Sequence, residues 1–167
     1  TTGSIHCGKS CDLCNSLTHS GTFKCESTGR IFVVRQKLSC STPFVVYLIS
    51  CSRCISQGVS STQNTKSRWS NYKSHHNKLI NSCSISRHFN EVCRCSNIDD
   101  SYMKIQLIDA VNNVDGLNDV EIDGLLLEKE KFWIGSLVTM HKGLNSSHDW
   151  NRKVRVGGED FSKQNLY

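Results

Sequence analysis

The chain has 167 residues, 37% of them hydrophobic, and a formal net charge of +5 at pH 7. Its length fits one compact domain plus an appendage. The longest uninterrupted apolar run, residues 44–49, is far shorter than the roughly 20 residues that cross a bilayer, so we expect no membrane partner. The chain begins with Thr1 and Thr2 instead of methionine, and we expect it to be a piece of a longer product.

Residues 1–40 form a cysteine-rich N-terminal segment, in which residues 30–34 have the composition of a strand. The chain has ten cysteines, which fits either a secreted disulfide scaffold or metal sites. Several form Cys-x-x-Cys pairs with histidines downstream, which is typical of zinc sites, so we favour a reducing, intracellular compartment. A disulfide-tied or partly disordered lead-in is the alternative for this segment. The residues that could hold a zinc ion here are Cys7, Cys11, Cys14 and Cys25.

Residues 41–150 have the pattern of a small α/β (α+β) domain, a three-stranded sheet flanked by helices, and residues 151–167 that of a polar tail. A buried strand is predicted where Pro43, the only proline, precedes the apolar run. In chain order we predict strands at 44–50 and 57–61, a helix at 63–79 with Thr62 as its N-cap, a short helix near His88, a strand at 103–111 and a helix at 120–140.

Charge is distributed unevenly along the chain. Residues 27–90 contain no Asp or Glu but nine Lys or Arg, whereas residues 91–135 contain ten acidic residues against four basic ones. An acid-free basic segment is typical of a surface that binds nucleic-acid phosphates, and ordinary solvated charge is the alternative. The candidate phosphate-binding residues are Arg53, Lys66, Arg68, Lys73 and Lys78.

The predicted helix at 63–79 carries a stripe of mixed character at the spacing i, i+4, i+7 and i+11. Its members are Arg68, Tyr72, His75 and Leu79. An arginine at the rim of a core can bind a phosphate through its guanidinium. The alternative is an arginine whose stem covers the core while its charged head stays in water.

The predicted helix at 120–140 carries a second stripe at the same spacing. Its members are Leu126, Glu130, Trp133 and Leu137. A carboxylate within an apolar seam is costly unless it is paired or binds a cation. Glu130 is therefore a candidate ligand for Mg²⁺, and a structural pair with an arginine such as Arg68 is the alternative.

A structural zinc site is the third candidate. Cys51 and Cys54 are separated by two residues, and histidines follow further along the chain. Two thiolates and two imidazoles complete a tetrahedral zinc site. The predicted ligands are Cys51, Cys54, His75 and His88, with His76 or Cys83 as possible substitutes and Cys93 and Cys95 as incidental.

The order of these features resembles the GIY-YIG endonuclease family and, more narrowly, the C-terminal endonuclease of Penelope-like retroelements. The motifs that carry the resemblance lie in residues 40–150. In chain order they are VVYLI, Cys-x-x-Cys, a QxVxST-like piece, Arg-x-x-x-Tyr-x-x-His, HF, EKFWIGSLVT and GLN. The resemblance implies a GIY-YIG-like fold that nicks DNA with Mg²⁺ or Mn²⁺, within a polyprotein that contains a reverse transcriptase and acts in the nucleus.

The resemblance also implies roles for individual residues. Tyr47 would orient or activate the attacking water, Arg68 would stabilise charge on the phosphate, and Glu130 would hold the catalytic metal. Asn145, in GLN, matches a late asparagine of the family and is implied by the resemblance alone. The zinc ligands that the family pattern implies are Cys51, Cys54, His75 and His88.

The second signature motif departs from the family pattern. Where the family has Tyr-x-Gly, this chain has Gly58-Val59-Ser60. Loss of a group that orients or deprotonates the attacking water typically costs roughly 10²–10⁴-fold in rate. One alternative is therefore a catalytically impaired, zinc-containing module that binds nucleic acid. The other is a secreted disulfide-rich binding protein, which the ten cysteines and one sequon at Asn145 would suit.

Overall fold

The structure is a computed structural model that describes residues 2–153, so the predicted tail lies outside the described residues from residue 154 onward. The described residues have the predicted α+β fold, a three-stranded sheet with flanking helices, and the N-terminal segment adds two two-stranded sheets that the sequence did not predict. In chain order the elements are β1 (Gly3–Ile5), α1 (Asp12–Ser16), β2 (Thr22–Lys24), β3 (Ile31–Val33), β4 (Lys37–Ser39), β5 (Val45–Cys51), β6 (Gln57–Thr62), α2 (Thr65–Asn77), α3 (Ser84–Arg87), a π-helical turn (His88–Val92), β7 (Met103–Ala110), α4 (Asp119–Ser136), α5 (Thr139–Lys142) and α6 (Ser147–Asn151).

The central sheet has the strand order β6-β5-β7, and both pairs are antiparallel. Residues from Val45 to Ile49 in the middle strand are all buried, because helices cover both faces of the sheet. This explains why residues 45–49 of β5 are all apolar instead of alternating with polar residues. The three predicted strands agree with the observed ones to within one residue at each end.

Helix α2 covers the face of the sheet that carries the Tyr47 side chain, since the hydroxyl of Tyr72 on α2 contacts the hydroxyl of Tyr47. The helix begins two residues later than predicted. Its N-cap is Asn64, whose side chain accepts a hydrogen bond from the backbone N–H of Ser67 at 3.0 Å, and not Thr62. An N-cap of this kind satisfies one of the free N–H groups of the first turn.

Helix α4 covers the opposite face, because Ser61, whose side chain points away from the Tyr47 face, contacts Glu130 of α4. A capping box between Asn118 and Glu121 starts the helix. The helix ends at Ser136, before the predicted end at 140, because Val138 adopts a left-handed conformation with φ of 55°. No helix in residues 2–153 has both the length and the hydropathy needed to cross a membrane.

The N-terminal segment packs on the same hydrophobic core as the central sheet. Strand β1 pairs in parallel with β4, and β2 pairs antiparallel with β3. The backbone N–H of Thr18 donates to the carbonyl of Ile105 in β7 at 2.7 Å. The ring of Phe23 packs edge-on against Trp133 of α4 with 5.2 Å between centroids. The boundaries at residues 40 and 150 stay a prediction.

The outer edge of β6 is covered by the short segment of residues 143–145. The backbone N–H of Leu144 donates to the carbonyl of Gln57 at 2.7 Å. The side-chain amide of Asn145 accepts from the N–H of Val59 and donates to its carbonyl, both at 2.7 Å. The carbonyl of Gln57 and both backbone groups of Val59 in the edge strand are therefore satisfied by this segment instead of by another strand.

We predict that Gly143→Ala lowers the free energy of unfolding by about 1–3 kcal/mol, because the added methyl group overpacks this contact. A Cβ at residue 143 would lie 2.2 Å from the carbonyl oxygen of Gln57 and 2.8 Å from that of Thr139. Urea unfolding followed by circular dichroism measures the change.

The matched control is Gly135→Ala, the same chemical change inside α4. The nearest atoms to a Cβ there belong to the Trp150 ring, at 3.9 Å. Gly135 lies in the last turn of α4, where alanine is at least as favourable as glycine, so this variant should keep or slightly raise the free energy of unfolding. Equal effects of the two substitutions would contradict the close contact at residue 143.

Candidate active site and metal centres

Glu130 lies in the interior of the protein, with 1% of its surface exposed. Its Oε2 accepts hydrogen bonds from the hydroxyl of Ser61 and from Nη2 of Arg152, the latter at 2.7 Å. Burial raises the pKa of Glu130, and the nearby Arg152 charge and the Ser61 hydrogen bond act in the opposite direction. The arginine partner is therefore Arg152 and not Arg68, which sequence analysis suggested. Arg152 was missed because its segment has the composition of a polar tail.

Tyr47 is completely buried, and its hydroxyl is hydrogen-bonded to that of Tyr72 at 2.9 Å. Tyr72 follows Arg68 by one helical turn, so α2 places both side chains on one face. Burial raises the pKa of both phenols, and that of Tyr72 lies well above its usual value. Two phenols that share a hydrogen bond satisfy each other inside the core. The Tyr47 hydroxyl thus has no contact with solvent in this conformation.

Arg68 is partly exposed. Its pKa is raised, chiefly by the electrostatic effect of Tyr47, although burial acts to lower it. Tyr72 and Glu130 add smaller effects in the same direction, so these groups lie within electrostatic reach of the guanidinium. Among residues 2–153, no carboxylate lies within ion-pair distance of Arg68. The guanidinium is thus available for an anion from outside the chain.

Asn145 is buried, and both ends of its amide bind the backbone of Val59 in the edge strand. Its Nδ2 also lies 3.3 Å from a carboxylate oxygen of Asp149. The same oxygen accepts from the backbone N–H of Ser146 and caps α6. These contacts give Asn145 a structural task at the edge of the sheet, and a catalytic role for it stays a prediction.

The second motif lies in β6 with Ser60 directly opposite Tyr47 in the antiparallel register. Gly58 lies on the same face of the strand, two residues away. A Cβ at residue 58 would lie 2.9 Å from Cβ of Leu144 and 3.5 Å from the side chain of Ile85. A tyrosine therefore does not fit at residue 58 in this packing, so the departure from Tyr-x-Gly is coupled to the neighbouring segment.

Four N-terminal cysteines form a cluster whose sulfur atoms all lie within 4.8 Å of one another. Cys40 reaches it because it directly follows β4, whose parallel pairing with β1 brings its end beside the loop after β1. Cys25, which sequence analysis placed here, instead lies with its sulfur 3.4 Å from the carbonyl of Leu137. Neighbouring thiols, Cys40 first among them, lower the pKa of Cys7 to about 6, which favours the thiolate that binds metal. The cluster consists of Cys7, Cys11, Cys14 and Cys40.

A second cluster contains Cys51, His88 and Cys93, whose ligand atoms also lie within 4.8 Å of one another. The sulfur of Cys54 lies 3.3 Å from Nε2 of His88. The predicted ligand His75 is not part of the cluster, because its Nδ1 is hydrogen-bonded to the hydroxyl of Ser82 at 2.7 Å.

The π-helical turn explains why Cys93 takes the place of His75. The N–H of Cys93 donates to the carbonyl of His88 at 2.8 Å, which is a bond between residues five apart. In an α-helix such residues point about 140° apart, whereas a π-turn stacks them. The proposed substitute ligands are also engaged elsewhere, His76 by Asn90 and Cys83 by Ser86.

Both clusters have donors that suit Zn²⁺, four thiols in one and two thiols with an imidazole in the other, where the Cys54 thiol beside His88 could supply a fourth donor. Burial lowers the pKa of His88, which keeps its imidazole in the neutral form that binds metal. All ten cysteines are free thiols in the structure. Thiols gathered in this way suit metal sites.

The candidate phosphate-binding residues differ in their surroundings. Lys66 and Lys78 are exposed. Nζ of Lys73 lies 2.6 Å from a carboxylate oxygen of Asp12. Arg53 lies over the ring of Tyr102 at 4.7 Å from its centroid. Lys66, Lys78 and Arg68 are therefore the residues of this set with the fewest competing partners.

No family model matches the chain, and no curated protein matches it. Among solved structures, a mutant of the catalytic domain of the intron endonuclease I-TevI is similar to it, with a TM-score of 0.44 and 19% sequence identity. The match covers 60% of this chain and 89% of that one. A likeness of this strength supports no conclusion alone, so a function must be argued from the side chains of this chain.

We predict that the purified chain binds two zinc ions and that the two clusters lose them independently. Cys40→Ser and Cys93→Ser should each reduce the content to one, because each removes a thiolate from a different tetrahedral site. Elemental analysis after dialysis against a weak chelator measures the zinc content.

The matched controls are Cys25→Ser and His75→Gln, which change residues that lie outside the clusters. Both should retain two zinc ions. Loss of zinc from His75→Gln, together with full zinc in Cys93→Ser, would restore the ligand set that the sequence predicts.

Proposed function

We propose that this chain is a metal-dependent endonuclease that nicks DNA. The observation that carries the proposal is the pairing of a free guanidinium with a buried carboxylate. Arg68 has no carboxylate partner in residues 2–153 and is free to bind a phosphodiester. Glu130, on the α4 side of the sheet, is the one buried carboxylate of this region and could hold a cation. The ordered motifs of the GIY-YIG resemblance support the same assignment.

The oxygen donors around Glu130 fit a hard cation. A carboxylate beside the Ser61 hydroxyl suits Mg²⁺ or Mn²⁺, with waters and the substrate phosphate completing the coordination. When bound, such an ion would neutralise charge that develops on the scissile phosphate and the leaving oxygen. Glu130 would hold the ion, and the Ser61 hydroxyl would orient the Glu130 carboxylate through its hydrogen bond.

The other residues of the proposed site would bind the phosphate or position neighbouring groups. Arg68 would bind the phosphate and stabilise the charge that develops there. Tyr47 is fully buried against Tyr72, so we assign it to positioning instead of direct contact with the attacking water. In the overall step water adds to phosphorus, the bond to the 3′ oxygen breaks, and the proton of water ends on that oxygen. The resemblance implies that this 3′ hydroxyl then primes reverse transcription in the nucleus, within a polyprotein.

A zinc-containing module that binds nucleic acid without cleaving it is the second candidate. The observation that favours it is the second motif, where Gly58 is packed beneath Leu144 and Ser60 stands opposite Tyr47. Neither residue can supply a phenol. The free cations on and after α2 would still bind phosphates in such a module.

We predict that Glu130→Gln reduces plasmid nicking in Mg²⁺ or Mn²⁺ by roughly 10²–10³-fold, because it removes the negative charge that holds the ion. Arg68→Lys should also impair nicking, since lysine lacks the bidentate geometry of a guanidinium. Conversion of supercoiled to open-circular plasmid under single-turnover conditions measures the rate.

The matched control is Glu128→Gln, the same change on an exposed position of the same helix. This variant should nick at the wild-type rate. Nicking by Glu130→Gln at that rate would refute the proposed role of Glu130.

We predict that Lys66→Gln reduces the slope of log K against log salt concentration for a short duplex by about 0.9, because one phosphate contact is lost. Lys73→Gln should have a smaller effect, since Lys73 is already paired with Asp12. Fluorescence anisotropy across salt concentrations measures both. Salt-dependent binding without nicking in any divalent metal would favour the second candidate, and equal slopes for both variants would contradict the assigned surface.

A further inference from the structure

Arg152 is placed where a cation on Glu130 would be expected. Its Nη2 lies 2.7 Å from Oε2 of Glu130 and 3.2 Å from the hydroxyl of Ser61. The arginine side chain is 35% exposed, whereas that of Glu130 is 2% exposed. The guanidinium therefore covers the carboxylate on its solvent side. Neither sequence pattern nor the family resemblance assigns any role to Arg152.

The backbone that carries Arg152 is anchored to the sheet. Residue 152 directly follows α6, and α6 is capped by Asp149, which accepts from the N–H of Ser146 at 2.6 Å. Just before α6, Asn145 is bonded to the edge strand β6. Glu130 lies beneath the same strand through Ser61. Arg152 thus reaches Glu130 from a fixed starting point and not from the end of a mobile arm.

The guanidinium and a divalent cation would compete for the same carboxylate. Its Oε2 already accepts two hydrogen bonds, from Ser61 and Arg152, so a metal ion that coordinates Oε2 would displace one of these donors. Two positive groups in contact with one buried carboxylate would also repel each other strongly, because little water screens them. Occupation by Arg152 and by a metal ion is therefore mutually exclusive or nearly so.

We propose that Arg152 is a further residue of the active site, which acts as the resident counter-ion of Glu130 and must be displaced before a divalent cation binds. The inference rests on the proposed function, in which Glu130 holds that cation. A phosphodiester offers the displaced guanidinium an alternative partner of the same chemistry as a carboxylate. Substrate and metal would then favour each other's binding, and the free protein would hold metal weakly.

The test is Mn²⁺ binding to the full chain with its zinc retained, followed by the electron paramagnetic resonance signal of free Mn²⁺. The variants are Arg152→Gln, Arg152→Lys and Glu130→Gln. We choose a pH of about 8 because burial raises the pKa of Glu130 and removal of its counter-ion acts in the same direction. Arg152→Gln should bind Mn²⁺ at least roughly tenfold more tightly than the wild type, because a competing charge is gone. Arg152→Lys, which keeps the charge, should stay near the wild type, and Glu130→Gln should lose the site.

The outcomes separate this inference from the proposed function. Equal Mn²⁺ affinity in the wild type and Arg152→Gln, with loss in Glu130→Gln, would overturn the competition and leave the metal role of Glu130 intact. Weaker binding in Arg152→Gln would also overturn it, since Arg152 would then support the metal. If no variant shows binding that depends on Glu130, the proposed metal role falls and this inference with it. Zinc content and circular dichroism verify that each variant is folded.

Discussion

The close contact between residues 143–145 and the edge strand β6 is the constraint on which the site depends. Gly143 lies so near the carbonyl of Gln57 that no side chain fits there, and the N–H of Leu144 donates to that same carbonyl. Asn145 then binds the backbone of Val59 with both ends of its amide. Because the chain is fixed at this edge, α6 begins at a defined place and brings Arg152 over Glu130. The pairing of Arg152 with Glu130 therefore depends on the contact between residues 143–145 and β6.

The same contact changes the interpretation of the second motif. A missing tyrosine in a signature motif suggests simple loss of a catalytic group. Gly58, however, lies beneath Leu144, and a Cβ at residue 58 would come within 2.9 Å of that side chain. The hydroxyl of Tyr47 meanwhile has its partner on α2, in Tyr72, instead of on β6. The motif and the covering segment thus fit each other, and a tyrosine restored at residue 58 alone would have to displace Leu144.

The sequence predicted those features that depend on local patterns of residues. The three strands, the stripe of Arg68 and Tyr72, and the burial of Glu130 follow from periodicities of two and 3.6 residues. The ligand sets could not be predicted in this way. Cys40 joins the first cluster through a parallel pairing of distant strands, and Cys93 joins the second through a π-turn. Both depend on tertiary geometry that the spacing of cysteines does not encode. Arg152 was not predicted as a site residue because the polar composition of residues 151–167 suggested a tail.

The two cysteine clusters also bear on the position of Arg68. Asp12 lies between two cysteines of the first cluster, and its carboxylate accepts hydrogen bonds from Trp69 at 3.0 Å and from Lys73 at 2.6 Å. Those residues lie on α2 beside Arg68, while Tyr72, on a neighbouring face of the helix, is hydrogen-bonded to Tyr47 in the sheet. The Asp12–Lys73 pair is exposed and by itself contributes little to stability. The pair instead fixes the position of α2, because the helix contacts the N-terminal segment as well as the sheet. It cannot turn without breaking one of these contacts. The N-terminal segment thus helps to fix the position of the helix that carries Arg68.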